Sequence, residues 1–111
     1  MSDDDAITSA EDCATMEEVR REIDRLDRRL VKLCAERQAY ISAAARIKPD
    51  AALVRLSWRI DDVLSKVLQE AEAQGLSKRI EEPVWRELIE RSIEYEHEAW
   101  ARLHNGGKEI K

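Results

Sequence analysis

The chain has almost no turn chemistry. Among 111 residues there are 3 glycines, 2 prolines and no phenylalanine, whereas Ala, Leu, Glu and Arg are plentiful. Glycine and proline punctuate sheets and hairpins, so their scarcity beside strong helix formers argues against a β-rich fold and for helices. Two cysteines, Cys13 and Cys34, are too few for a disulfide framework and are expected as free thiols. No apolar run approaches the roughly 20 residues that span a bilayer. The opening, MSDDDAITSAEDC, is acidic and lacks the basic start and apolar core of a signal peptide, so a cytoplasmic protein is expected. Charge of one sign is also short: 19 basic residues face 24 acidic ones, a net −5. That sign disfavours nucleic acid or an anionic membrane as partner. A locally basic site for a small anion is still allowed.

The length suits one domain. Residues 1–14 are acidic and aperiodic, and a disordered tail is expected there. Thr15 with Glu18 three residues on forms a capping box. From there a heptad of Met16, Val19, Ile23, Leu26, Leu30, Leu33, Arg37, Tyr40, Ala44 and Ile47 alternates spacings of three and four, a narrow apolar seam on one helix. Pro49 restricts Lys48 and ends it, giving a helix of roughly 32 residues, about 48 Å. A second helix is expected over about 53–74, with Ile60, Val63, Leu64, Val67 and Ala71 as apolar positions and Gly75 as its left-handed stop. A third has Pro83 near its start and Val84, Leu88, Ile89, Ile93, Trp100 and Leu103 on its inner side. Asn105-Gly106-Gly107 would close it, leaving 105–111 frayed and the ordered domain at 15–104.

The fold class is therefore all-α: one long helix and two shorter ones of roughly 30 Å. Helices that short would leave part of a 48 Å seam in water, a larger apolar patch than soluble monomers usually expose. Two copies crossing their long helices would bury both seams, so a homodimer is expected.

Arg37 breaks the seam. A charge there is costly unless it meets an anion, although it can also fix register or snorkel to the rim. Lys48, 11 residues on, returns to within about 20° of Arg37 around the helix, so two cations share a stripe that carries no acid. Arg20 lies about 260° from Arg37 and would reach the same point only from a partner subunit. Arg59 is a fourth cation, by default solvated. Ser92 and Glu96 stand one turn apart on the third helix, and a glutamate there would pair with a cation or stay protonated. Such cations suit a ligand with two carboxylates. No nucleophile–base pair or phosphate loop competes with them. His97 and His104 are too isolated for a metal site, and the tryptophans read as packing, with Trp58 able to line a pocket wall.

These residues lie in segments that resemble the all-α chorismate mutases: VRREIDRLDRRLVKLCAER (19–37), ARIK (45–48), WRIDD (58–62) and the run from WREL to Glu96 (85–96). The EDC ahead of them resembles the branch of that family that includes the isochorismate pyruvate lyases. The resemblance implies an intertwined, domain-swapped homodimeric helical bundle with two identical sites, no cofactor and no metal. It implies that Arg20 crosses from the partner to hold a substrate carboxylate, and that Arg37 grips a carboxylate within the same chain. Lys48 is expected on a carboxylate and the ether oxygen, Arg59 and Ser92 on further polar contacts, and Glu96 where many members place a glutamine donor to that oxygen. Ile60 stands where many members carry a glutamate for the substrate hydroxyl.

The reaction so implied is the rearrangement of chorismate to prephenate in aromatic amino-acid biosynthesis. Partial negative charge develops on the ether oxygen in its transition state, so donors aimed there lower the barrier. An ionised Glu96 has no proton to give, so it must be protonated to act. Alternatives are isochorismate pyruvate lyase, which forms salicylate and pyruvate, a mutase of an amino-chorismate, and a non-catalytic helical dimerisation module.

Overall fold

The computed structural model describes residues 7–109, with side chains as far as residue 105. Three helices follow one another: α1 over Met16–Ile47, α2 over Ser57–Gln74 and α3 over Lys78–Glu109, with a 3-10 turn at Ala51–Leu53 between the first two. No strand occurs among the described residues. None of the helices is long and apolar enough to cross a membrane. The chain divides into two compact units between Gln38 and Ala39.

In the first unit the capping box forms as the spacing requires. The Glu18 N–H donates to Thr15 Oγ1 at 3.2 Å, and Glu18 Oε1 accepts from the Thr15 N–H at 3.0 Å and the Ala14 N–H at 2.9 Å. These donors, Ala14 foremost, hold the Glu18 carboxyl below its ordinary range. The expected disordered tail needs correction over residues 7–14. Those residues turn back on α1: the Thr8 N–H donates to Glu22 Oε2 at 3.1 Å, and Arg21 donates to Thr8 Oγ1 at 3.2 Å. A turn at Ser9–Cys13, with Ser9 Oγ accepting from the Asp12 N–H, gives the strap its shape. Residues 1–6, the rest of that expectation, lie outside the described residues. The seam residues Met16, Ile23, Leu26, Leu30 and Leu33 are each between 46% and 59% exposed.

The second unit is built on α2 and α3, which pack against each other across a short turn. Gly75 ends α2 with φ 73°, the left-handed conformation that glycine adopts without a Cβ penalty. Val54, Ile89 and Ile93 form the buried centre, with Ile60, Val63, Leu64 and Trp100 packed around it.

Both shorter helices depart from expectation. α2 begins at Ser57, not near Leu53, because Asp50 caps the 3-10 turn by accepting from the Ala52 N–H at 2.9 Å. α3 begins at Lys78, well ahead of Pro83. Ser77 is the cause: its Oγ accepts from the Arg79 N–H, and its carbonyl takes the Ile80 and Glu81 N–H groups, so the orphan donors of the first turn are satisfied before the proline is reached. At its other end α3 continues through Asn105-Gly106-Gly107 to Glu109, so the expected frayed tail at 105–111 is helical as far as it is described. Val84 and Leu103, expected inside, are half exposed. With 32 residues, α3 is as long as α1, about 48 Å. Unequal helix length is therefore no ground for a dimer; the exposure of the α1 seam is a separate matter.

Candidate active site

Pro49 shapes the end of α1 twice. It forces the helix to stop, and it lacks the N–H that would have bonded the carbonyl of Ala45 four residues earlier. Ala45 is fully buried, and a buried carbonyl without a donor costs about 1–3 kcal/mol. His104 supplies the donor, its Nε2 lying 3.0 Å from Ala45 O. A carbonyl only accepts, so that nitrogen carries the proton. One residue past the helix, the Lys48 carbonyl accepts from the Trp100 indole N–H at 2.8 Å. The Trp100 and His104 rings stack with centroids 4.3 Å apart and planes 18° from parallel. Further back, Ser42 Oγ and Tyr95 Oη share a hydrogen bond of 2.8 Å.

Within the second unit, the residues at the end of α1 that meet α3 are thus Ser42, Ala45 and, just past the helix, Lys48, spaced three apart. Tyr40 and Ile47, both seam positions, are exposed.

The other end of Lys48 meets α3 as well. Its Nζ is 2.6 Å from Glu96 Oε2, an ion pair in which the lysine side chain is 25% exposed and the glutamate 5%. Glu96, Trp100 and His104 follow at intervals of four along α3, one turn apart, so a single stripe holds the ammonium, the carbonyl of the same lysine and the carbonyl three residues before it. The ammonium retains two further N–H groups after bonding Glu96.

The remaining expected site residues are spread over both units. Arg59, early in α2, donates to Asp62 at 2.6 Å, and Lys66 joins the same carboxylate at 3.0 Å. These two cations hold the Asp62 carboxyl below its ordinary range, Lys66 first. Arg59 is therefore engaged by its own helix and not by the Lys48–Glu96 pair. Ser92 lies half-buried on α3, one turn before Glu96. In the first unit, Arg37 is half-buried on α1, and Arg20 is exposed in an open groove with Glu17, Arg21, Asp24 and Arg28. Ile60 packs against the apolar centre, so the position is filled as core. Trp58 is largely exposed. Among the described residues no cluster of His, Cys, Asp or Glu has the arrangement of a metal site. Both cysteines are free.

Sequence reasoning missed Ser42, Tyr95, Trp100 and His104 as parts of this region. The signal was available in Pro49, which orphans one identifiable carbonyl, but not the identity of the donor that answers it.

Comparison with known proteins points the same way as the segments noted above. The sequence profile described as chorismate mutase type II matches residues 19–97. An isochorismate pyruvate lyase from Pseudomonas aeruginosa is 29% identical over 90 residues, covering 81% of this chain and 89% of that protein.

Proposed function

The chain belongs to the chorismate mutase type II family, and from that premise we propose that it catalyses the cofactor-free rearrangement of chorismate to prephenate. What supports the reading is the Lys48–Glu96 pair: a cation with donors to spare just past the end of α1 and a carboxyl on α3, the latter almost wholly out of water. Lys48 donates to the ether oxygen as that oxygen gains charge, and this interaction is stronger in the transition state than in the ground state. Arg37 and Arg20 hold the two carboxylates and keep the enolpyruvyl arm over the ring, which lowers the entropic part of the barrier. Ser92 and Arg59 make further polar contacts, Arg59 either alongside Asp62 or after leaving it.

The active form is a homodimer in which Arg20 reaches into the partner's site. The half-exposed seam from Met16 to Leu33 supports this, because a second copy of the same seam is the natural cover for it. Glu96 is the second donor to the ether oxygen. In the free protein its Oε2 sits on the Lys48 ammonium, and an ionised carboxylate there has nothing to donate and repels the developing charge. It must take up a proton to act. Glu96→Gln, which always has an N–H to give, is accordingly expected to keep or raise kcat, and Glu96→Leu, which has none, to lower it about tenfold or more. An unchanged kcat in Glu96→Leu removes this role from Glu96.

A second reading is isochorismate pyruvate lyase, favoured by the 29% identity to the Pseudomonas aeruginosa enzyme. It is also pericyclic and would use the same cationic cradle. The two readings separate on product: prephenate from chorismate, or salicylate and pyruvate from isochorismate.

A further inference from the structure

We propose that Trp100 and His104 are positioning residues that clamp the last turn of α1 and so fix where the Lys48 ammonium stands. The inference rests on the reading of Lys48 as the oxygen donor, but its first test does not. Lys48 is the final residue with a helical hydrogen bond on α1, its N–H donating to Ala44 O at 2.9 Å, and the next residue, Pro49, can donate nothing. A lysine at such a point would fray with the helix end. Here its carbonyl is held by the Trp100 indole and the carbonyl of Ala45 by His104.

The stacking of the two rings ties these donors together, so loss of either ring loosens both. Glu96, one turn before Trp100, meets the ammonium itself. The lysine is thus gripped at both ends by one stripe of α3. Neither Trp100 nor His104 contributes an atom to the substrate contacts proposed above. Their effect passes through Lys48, and small displacements of a catalytic donor are expensive in rate.

Two measurements test the clamp on the full chain. Amide hydrogen exchange at Lys48, read by NMR, is expected to be about tenfold or more faster in Trp100→Phe, which keeps the ring and loses the donor, and in His104→Ala. His104→Gln retains an N–H near the position of Nε2 and is expected to restore most of the protection. Exchange within about twofold of wild type in both variants, with the helical circular dichroism unchanged, overturns the clamp whatever the enzyme acts on. On the substrate that wild type turns over, kcat is expected to fall about tenfold or more while KM moves less, because a misplaced oxygen donor is felt in the transition state. Faster exchange with kcat unchanged would overturn the catalytic part and leave a purely structural cap. Absence of wild-type turnover on chorismate and isochorismate alike counts against the proposed function, and the exchange result still decides the clamp.

Discussion

Removing one partner of the Lys48–Glu96 pair should cost far more than removing both. Glu96 is 5% exposed and Lys48 25% exposed at a separation of 2.6 Å. Lys48→Met leaves a carboxylate out of water without the ammonium it bonds. For fully buried pairs such a truncation costs about 3–5 kcal/mol; the partial exposure of Lys48 lets water reach the vacated place, and we expect about 2–3 kcal/mol at neutral pH. By the scaling for chains near 100 residues, that lowers Tm by roughly 10–20 °C. The double variant Lys48→Met with Glu96→Met removes both charges and replaces them with flexible apolar chains, and should return to within about 1 kcal/mol of wild type. Urea unfolding followed by circular dichroism at fixed protomer concentration gives all four corners of the cycle. A coupling below about 0.5 kcal/mol, the range of exposed surface pairs, would mean that the pair behaves as a solvated one.

The other expectations are smaller or qualitative. Leu30→Glu places a charge in the middle of the exposed α1 seam and is expected to shift the protein from dimer to monomer in sedimentation; an unchanged dimer would move the interface elsewhere. Gly75→Ala meets no atom within 4 Å of the new Cβ, so its cost is backbone strain at φ 73° alone, about 1–2 kcal/mol, measured by the same urea titration. Glu22 is held below its ordinary value of 4.5 by Arg25 first and then by the Thr8 N–H. A lowered folded value means the stabilisation is present above about pH 4.5 and is lost as pH falls through the folded value. The strap at residues 7–14 should therefore loosen in acid, seen as a lower amide protection factor at Thr8 relative to the intrinsic exchange rate at each pH, and Glu22→Gln should lower it at neutral pH.

Much of this was legible because it depends on neighbours in sequence. Thr15 and Glu18 lie within one turn, Gly75 follows a helical period, and the length of α1 is fixed between a capping box and Pro49. Boundaries set by unremarked caps were not legible: Ser77 starts α3 ahead of Pro83, and Asp50 diverts residues 51–53 into a 3-10 turn. The strap at 7–14 has the composition of a disordered tail, whereas its order comes from Thr8 finding Glu22, 14 residues away.

At the site, composition and spacing singled out Lys48 and Glu96. Their pairing, 48 residues apart in sequence, was one of two options left open for a glutamate on that helix. The roles of Trp100 and His104 needed the packing of α3 on the end of α1. Ile60, which stands where the family resemblance implies an acid, packs instead against Val54, Ile89 and Ile93. Glu81 is buried with no hydrogen-bond partner for its Oε2 among the described residues, and nothing in the surrounding chain accounts for it.

The most direct test of the central claim is to incubate the purified protein with chorismate and with isochorismate in parallel and to identify the products by chromatography. Prephenate is expected from chorismate, formed without added metal or cofactor and lost in Lys48→Ala. Salicylate and pyruvate from isochorismate, with chorismate left intact, would contradict the mutase assignment while keeping the pericyclic site. Recovery of both substrates unchanged would mean that the Lys48–Glu96 site runs neither reaction.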